Sequence, residues 1–256
     1  MKKLALVMTL ASVLSTTVQA DTIGVYLGGQ AWDNQASGTF GDGNNNQIDF
    51  NLKDQTQGSY FVAFEHPLPL IPNVRIASTS LETDGTTTLE TEFTFDDETF
   101  AAEADALADF DVSYVDYTLY YELFDNDLIS FDLGLTARDF DGGVTVSTRA
   151  TSGSNASTVS DSIAVTDIVP MLYIATNVGL PLTGLNLYAQ GNFLSIDDHT
   201  LYDYEVGVSY ELVDNLAIDV NINAGYRSVK LELDDLNDLY TNIEFDGVFV
   251  GTTIHF

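Results

Sequence analysis

The chain has no cysteine, eight lysines and arginines against 39 aspartates and glutamates, and three histidines. Without cysteine there is no disulfide framework and no thiolate metal site. With a formal charge of −31, the basic surface that phosphate neutralisation requires is missing, which argues against nucleic acid as a partner. Past the N-terminus, no stretch reaches the ~18 to 20 uninterrupted apolar residues of a membrane-spanning helix. If this chain crosses a membrane, it does so with strands.

The N-terminus reads as an export leader. Lys2 and Lys3 precede a short apolar run, Leu4 to Val13, and the segment closes on the small residue Ala20 after Val18 and Gln19. A charged start, an apolar core too short to span and a small-residue end describe a cleaved signal peptide over residues 1–20. The mature chain is then expected to begin at Asp21 and to form a single domain over 21–256.

The dominant period is two. In residues 201–215, Tyr202, Tyr204, Val206, Val208, Tyr210 and Leu212 share one face, with Asp203, Glu205, Gly207, Ser209 and Glu211 on the other. Along the apolar face the order is aromatic, aliphatic, aromatic, the signature of a transmembrane barrel strand with a girdle at each interface. From Tyr202 to Tyr210 the rise is roughly 26 Å, or about 20 Å after a ~40° tilt, near the ~25 Å apolar band of such barrels. The same alternation marks residues around 23–31, 60–64, 74–76, 115–123, 129–137, 185–193 and 216–226. Residues 163–178 are apolar on both faces and interrupted by Pro170, so parity does not give their outward side.

Counting connections gives a closed antiparallel transmembrane β-barrel, most simply of ten strands, with eight or twelve left open. Four connections are tight, at 66–72, 124–127, 179–184 and 213–215, and three are long and polar, at 33–56, 83–110 and 141–162. Two shorter ones fall at 197–200 and 231–239. Short turns on one side and longer acidic loops on the other are the outer-membrane asymmetry, and an even strand count puts both termini in the periplasm. Tyr121–Asn126 (YELFDN) and Tyr210–Asn215 (YELVDN) end a strand and open a turn in the same way.

The segments FEHPLPLIPNVRI (64–76) and DYTLYYELFDNDLISFDLGLTARDFDGG (116–143) resemble a family of small, functionally uncharacterised outer-membrane β-barrel proteins of Gram-negative bacteria. The terminal GTTIHF resembles the assembly signal of outer-membrane proteins, with Gly251, Ile254 and Phe256 in the signal positions and Phe249 where a polar residue is common. The resemblance implies fold and location and brings no activity. Expected partners are outer-membrane lipid and lipopolysaccharide, periplasmic chaperones and the barrel-assembly machinery.

Chemistry is sparse. Asp197, Asp198 and His199 invite comparison with the omptins, ten-stranded outer-membrane proteases, but the spacing does not reproduce their motif, so no catalytic residue and no cofactor is expected. Residues 83–110 hold nine acids and no lysine or arginine, which would let divalent cations collect loosely without forming an EF-hand. By strand parity Arg75, Asp116, Asp132, Arg138, Asp203, Glu205, Asp219 and Arg227 point into the lumen. Buried charges persist when paired, so these are expected to form a polar network that rigidifies the barrel. The main reading is a structural or surface-interaction role. A narrow cation-preferring channel competes with it, since acids outnumber the arginines, and an omptin-like surface hydrolase is the third reading.

Overall fold

A computed structural model describes residues 23–126, 128–148, 158–196, 199–215, 218–236 and 239–256. The leader at 1–20 and the Asp197–Asp198 pair lie outside these. Every regular element among the described residues is a strand: β1 (Gly24–Gly41), β2 (Gln55–Glu65), β3 (Asn73–Thr79), β4 (Glu82–Thr88), β5 (Phe93–Phe95), β6 (Glu98–Phe100), β7 (Asp105–Asp111), β8 (Tyr114–Asp125), β9 (Ile129–Phe140), β10 (Gly142–Thr148), β11 (Ser160–Val165), β12 (Ile168–Leu180), β13 (Leu185–Ile196), β14 (His199–Asp214), β15 (Asp219–Leu236) and β16 (Leu239–His255).

Ten strands close a barrel in the order β1-β16-β15-β14-β13-β12-β9-β8-β3-β2, with every neighbouring pair antiparallel. The last strand pairs with the first from Tyr26↔His255 to Gly41↔Tyr240. Two further backbone bonds, Val25 N–H to Phe256 O (3.3 Å) and Phe256 N–H to Val25 O (3.0 Å), zip the terminus shut. The barrel itself leaves no edge to recruit another chain.

Parity sorts the faces as the sequence predicts. Val206, Val208, Tyr210, Tyr117, Leu119, Leu133, Leu135, Val248 and Val250 are exposed on the outside, while Asp116, Arg138, Asp203 and Arg227 are buried inside. An apolar surface this extensive on the outside of a closed barrel matches a lipid solvent, not water. The undecided segment is resolved: its first part is β11 and the rest enters β12, where Leu172 and Pro170 face out and Val169, Met171 and Tyr173 face in. The ladder with β13 begins only at Leu172, beyond the proline.

The sequence echo is also a structural one. β8 shifts register between Glu122 and Phe124, and β14 shifts between Glu211 and Val213, so both copies bulge at the same leucine, Leu123 and Leu212. Each asparagine then caps its turn: Asn126 Oδ1 accepts from the N–H groups of Leu128 (2.8 Å) and Ile129 (3.0 Å), and Asn215 Oδ1 accepts from Ile218 N–H (3.3 Å).

The expected polar loops need correction. Residues 33–41 continue β1, and β14 and β15 run into the two shorter connections. Residues 82–111 and 142–165 supply a four-stranded sheet, β11-β10-β7-β4, with the hairpin β5–β6 beside it. Together these form a cap over the barrel end opposite the tight turns. Its reason is an apolar face hidden among the acids: Leu89, Phe93, Phe95, Phe100, Ala106, Ala108 and Phe110 are all buried in one core with Phe40, Phe50 and Phe245. Phe40 stacks on Phe50 (centroids 4.6 Å apart) and tilts against Phe110 (5.3 Å), which reaches Phe245 on β16 (6.4 Å). The core continues into the lumen through Trp32, Phe249, Met171 and Leu201.

Candidate functional site

The lumen beneath the cap is crossed by a lattice of charge. Asp116 and Arg138 stand opposite each other in the β8–β9 register, and the guanidinium grips the carboxylate with two bonds, Nε to Oδ1 (2.8 Å) and Nη2 to Oδ2 (2.7 Å). The same Nη2 donates to Asp203 Oδ2 (2.7 Å) on β14. Arg227 on β15 takes Asp203 from the other side, Nε to Oδ1 (2.9 Å) and Nη2 to Oδ2 (2.9 Å). Two arginines and two aspartates make the lattice electrically neutral, and all four side chains are buried. Planar guanidinium forks suit this two-pronged geometry where an ammonium would not.

Neutral groups complete it. Tyr114 donates its hydroxyl proton to Asp203 Oδ2 (2.5 Å) and accepts from Arg227 Nη2 (3.0 Å), while its ring lies 3.6 Å from the Arg138 guanidinium carbon. Arg227 also donates to Thr79 on β3 and Ser59 on β2, each at 3.3 Å, and lies 5.0 Å from the Trp32 ring. Asn192 donates to Asp116 Oδ2 (3.1 Å) and accepts from Thr136 (2.6 Å). Buried ions at this density are tolerated because their lone pairs and protons are used.

The other residues singled out by parity stand elsewhere. Glu205 faces Arg227 in register but is held by the amides of Gln30 (3.1 Å) and Gln190. Arg75 lies over the Phe61 ring at 4.2 Å and forms no ion pair with the described residues. Asp132 has its Oδ1 buried without a hydrogen-bond partner among the described residues. Asp219 sits at the turn end, 3.2 Å from His255 Nδ1, and accepts from Asn215 N–H. Shared parity pointed all eight into the lumen. Register decides their depth, so only Asp116, Arg138, Asp203 and Arg227 meet.

Below the lattice a cavity of about 440 Å³ extends to the turn end. Glu65, Glu122, Asp125, Asp132 and Glu205 line it with Arg75 and the aromatic walls of Tyr120, Tyr173 and Tyr188. Tyr120 donates to Glu65 Oε1 (2.7 Å). Tyr114, Asn192 and Thr136 were missed as site residues, although the same parity places each of them inward.

The histidines form no couple with a nucleophile among the described residues. His66 Nδ1 accepts from Leu68 N–H (3.2 Å), His199 Nδ1 from Asp234 N–H (3.2 Å), and His255 stacks on Tyr26 (4.2 Å between centroids) beside Asp219. At the other end of the chain's signal residues, Gly251 pairs with Gln30, Ile254 with Leu27, and Phe256 closes onto Val25.

No family model matches the chain, and no curated protein matches it in sequence. Among solved structures it is similar to the attachment invasion locus protein Ail of Yersinia pestis in complex with a heparin analogue (11% identity, TM-score 0.34, covering 91% of this chain and 99% of that one). It is also similar to the transport unit of the autotransporter AIDA-I from Escherichia coli (10%, 0.36, 98% and 95%) and to a Pseudomonas aeruginosa FadL homologue (8%, 0.31, 92% and 90%). At these TM-scores the assignment as a ten-stranded barrel rests on the chain's own closed topology.

Proposed function

We propose that this chain is an integral outer-membrane β-barrel with its tight turns and both termini in the periplasm, acting as a structural or surface-interaction protein that displays the acidic cap outward. The neutral Asp116–Arg138–Asp203–Arg227 lattice carries this reading. It joins strands on opposite walls of the lumen directly under an apolar core, which supports a sealed barrel over a conducting one. We do not propose catalysis: His66 and His199 accept from backbone N–H groups, and His255 stands beside Asp219.

The cavity below the lattice favours one second reading. Its acidic lining would draw cations in from the turn end if lattice and cap opened together. Planar-bilayer recording separates the two. The sealed barrel gives no reproducible conductance steps at high salt, and steps that prefer cations would establish the channel.

A further inference from the structure

Two turns at the same end of the barrel carry the same tripeptide, Leu68-Pro69-Leu70 and Leu180-Pro181-Leu182. In both, the second leucine has a left-handed backbone, with φ of 71° at Leu70 and 67° at Leu182. That region suits glycine or asparagine, and a bulky apolar side chain seldom occupies it. In both, this same leucine is almost wholly exposed, 91% for Leu70 and 107% for Leu182. A strained backbone that twice presents a bare leucine calls for something apolar to receive it.

Register identifies the receiver. On β2 and β3 the outward apolar residues are few, Tyr60 to Phe64 and Val74 to Ile76, followed by Gly58 and Ser78. Five residues rise roughly 13 Å, or about 10 Å after tilt, well short of the ~25 Å band of a lipid-spanning barrel. Neighbouring β8 supplies the rest. Its ladder with β3 ends at Asn73↔Tyr120, yet β8 continues through the exposed Tyr121 and Leu123, beside the 66–72 turn. Tyr121 donates its hydroxyl proton to the Leu70 carbonyl at 3.1 Å, which pins the turn at the level of an outward-facing aromatic. The first turn therefore lies at the depth of the apolar belt and completes it where the hairpin runs short. The second follows suit: Glu211 N–H donates to Gly184 O (2.9 Å), pinning the turn that carries Leu182 to the end of β14 where Leu212 is exposed.

We infer that the two Leu-Pro-Leu turns are lipid anchors, which bury Leu70 and Leu182 at the headgroup–acyl boundary of the turn-side leaflet and fix how deep the barrel sits. Leucine is chosen over glycine there because its transfer into lipid offsets the unfavourable backbone. This inference rests on the membrane reading above.

The absence of cysteine makes the test direct, since Leu70→Cys, Leu182→Cys and Leu135→Cys each create a single labelling site. Each variant, confirmed as folded by heat-modifiable gel mobility, is labelled with an environment-sensitive fluorophore and reconstituted in phosphatidylcholine vesicles. Labels at 70 and 182 are expected to be quenched several-fold more by nitroxides on the upper acyl chain than by aqueous iodide. Leu135, in the outer belt, is the reference. If the label at 135 is lipid-quenched while those at 70 and 182 answer to iodide, the anchors are overturned and the membrane reading stands. If 135 also answers to iodide, the membrane reading itself fails. A second measurement uses unlabelled protein: Leu70→Asn with Leu182→Asn suits the left-handed backbone better, yet should lower the urea midpoint in vesicles. A midpoint equal to or above that of the parent also overturns the anchors.

Discussion

Arg227 of β15 donates to the hydroxyl of Tyr114 on β8 at 3.0 Å, and these two strands stand five places apart in either direction around a ring of ten. One guanidinium thus meets a side chain from the opposite wall. The lumen is spanned by two side chains that meet between the walls, and Asp203 fixes the guanidinium through Nε and Nη2.

Removing one partner should cost much more than removing a pair. Arg138→Ala leaves Asp116 buried without its cation, and breaking a buried pair this way costs about 3–5 kcal/mol. Arg138→Met combined with Asp116→Leu should be less damaging than Arg138→Ala alone. Urea unfolding of the barrel in vesicles measures both. A double variant as unstable as the single would show that the lattice is not held together by charge balance.

The cap should yield separately from the barrel. Phe93→Ala empties a fully buried site between Phe50, Phe95 and Phe100, a change worth about 3–5 kcal/mol in a packed core. Limited proteolysis is expected to cut within residues 82–111 of this variant while the heat-modifiable barrel survives. Loss of the barrel together with the cap would show that the two fold as one unit.

Deleting Phe256 removes the Val25 bonds at the seam and the exposed terminal ring. Membrane-inserted, heat-modifiable protein should fall sharply in cells. Material that does assemble should unfold like the parent, because Val25 and Phe256 close only the turn end of the seam, while the lattice stands at the depth of Trp32 and Gly247. Unchanged assembly would deny the terminal residue its role as a signal.

Calcium should bind the cap only diffusely. Asp84 pairs with Lys53, Asp105 accepts from Thr88, and Asp161 accepts from the Asp97 N–H, so the acids of the cap are spread over separate elements. Isothermal titration at millimolar calcium should give a flat thermogram. A saturable isotherm would demand a site that these positions do not outline.

The barrel was legible because its signal is local. Alternation at 202–212 or 115–123 tells inside from outside without knowing any neighbour, and turn length tells one end from the other. The cap was hidden by composition. Phe93 and Phe95 alternate as cleanly as any barrel strand, but the acids on either side of them, Glu90, Glu92, Asp96, Asp97 and Glu98, dominate a window average and read as solvated loop. The lattice was half legible. Parity pointed both Asp132 and Asp203 into the lumen, whereas which of them meets an arginine depends on register across strands far apart in sequence, such as those of Thr79 and Arg227.

That long reach has a consequence for time. Ser59, Thr79 and Tyr114 wait for Arg227, which lies 168, 148 and 113 residues further along the chain. Until β15 docks, the early strands carry an aspartate and an arginine toward a lumen that is still open to water. Contacts of such separation form slowly, after their loop-closure entropy has been met. On the sealed-barrel proposal, closure is thus a late event, completed only when the penultimate strand brings Arg227 to the early strands.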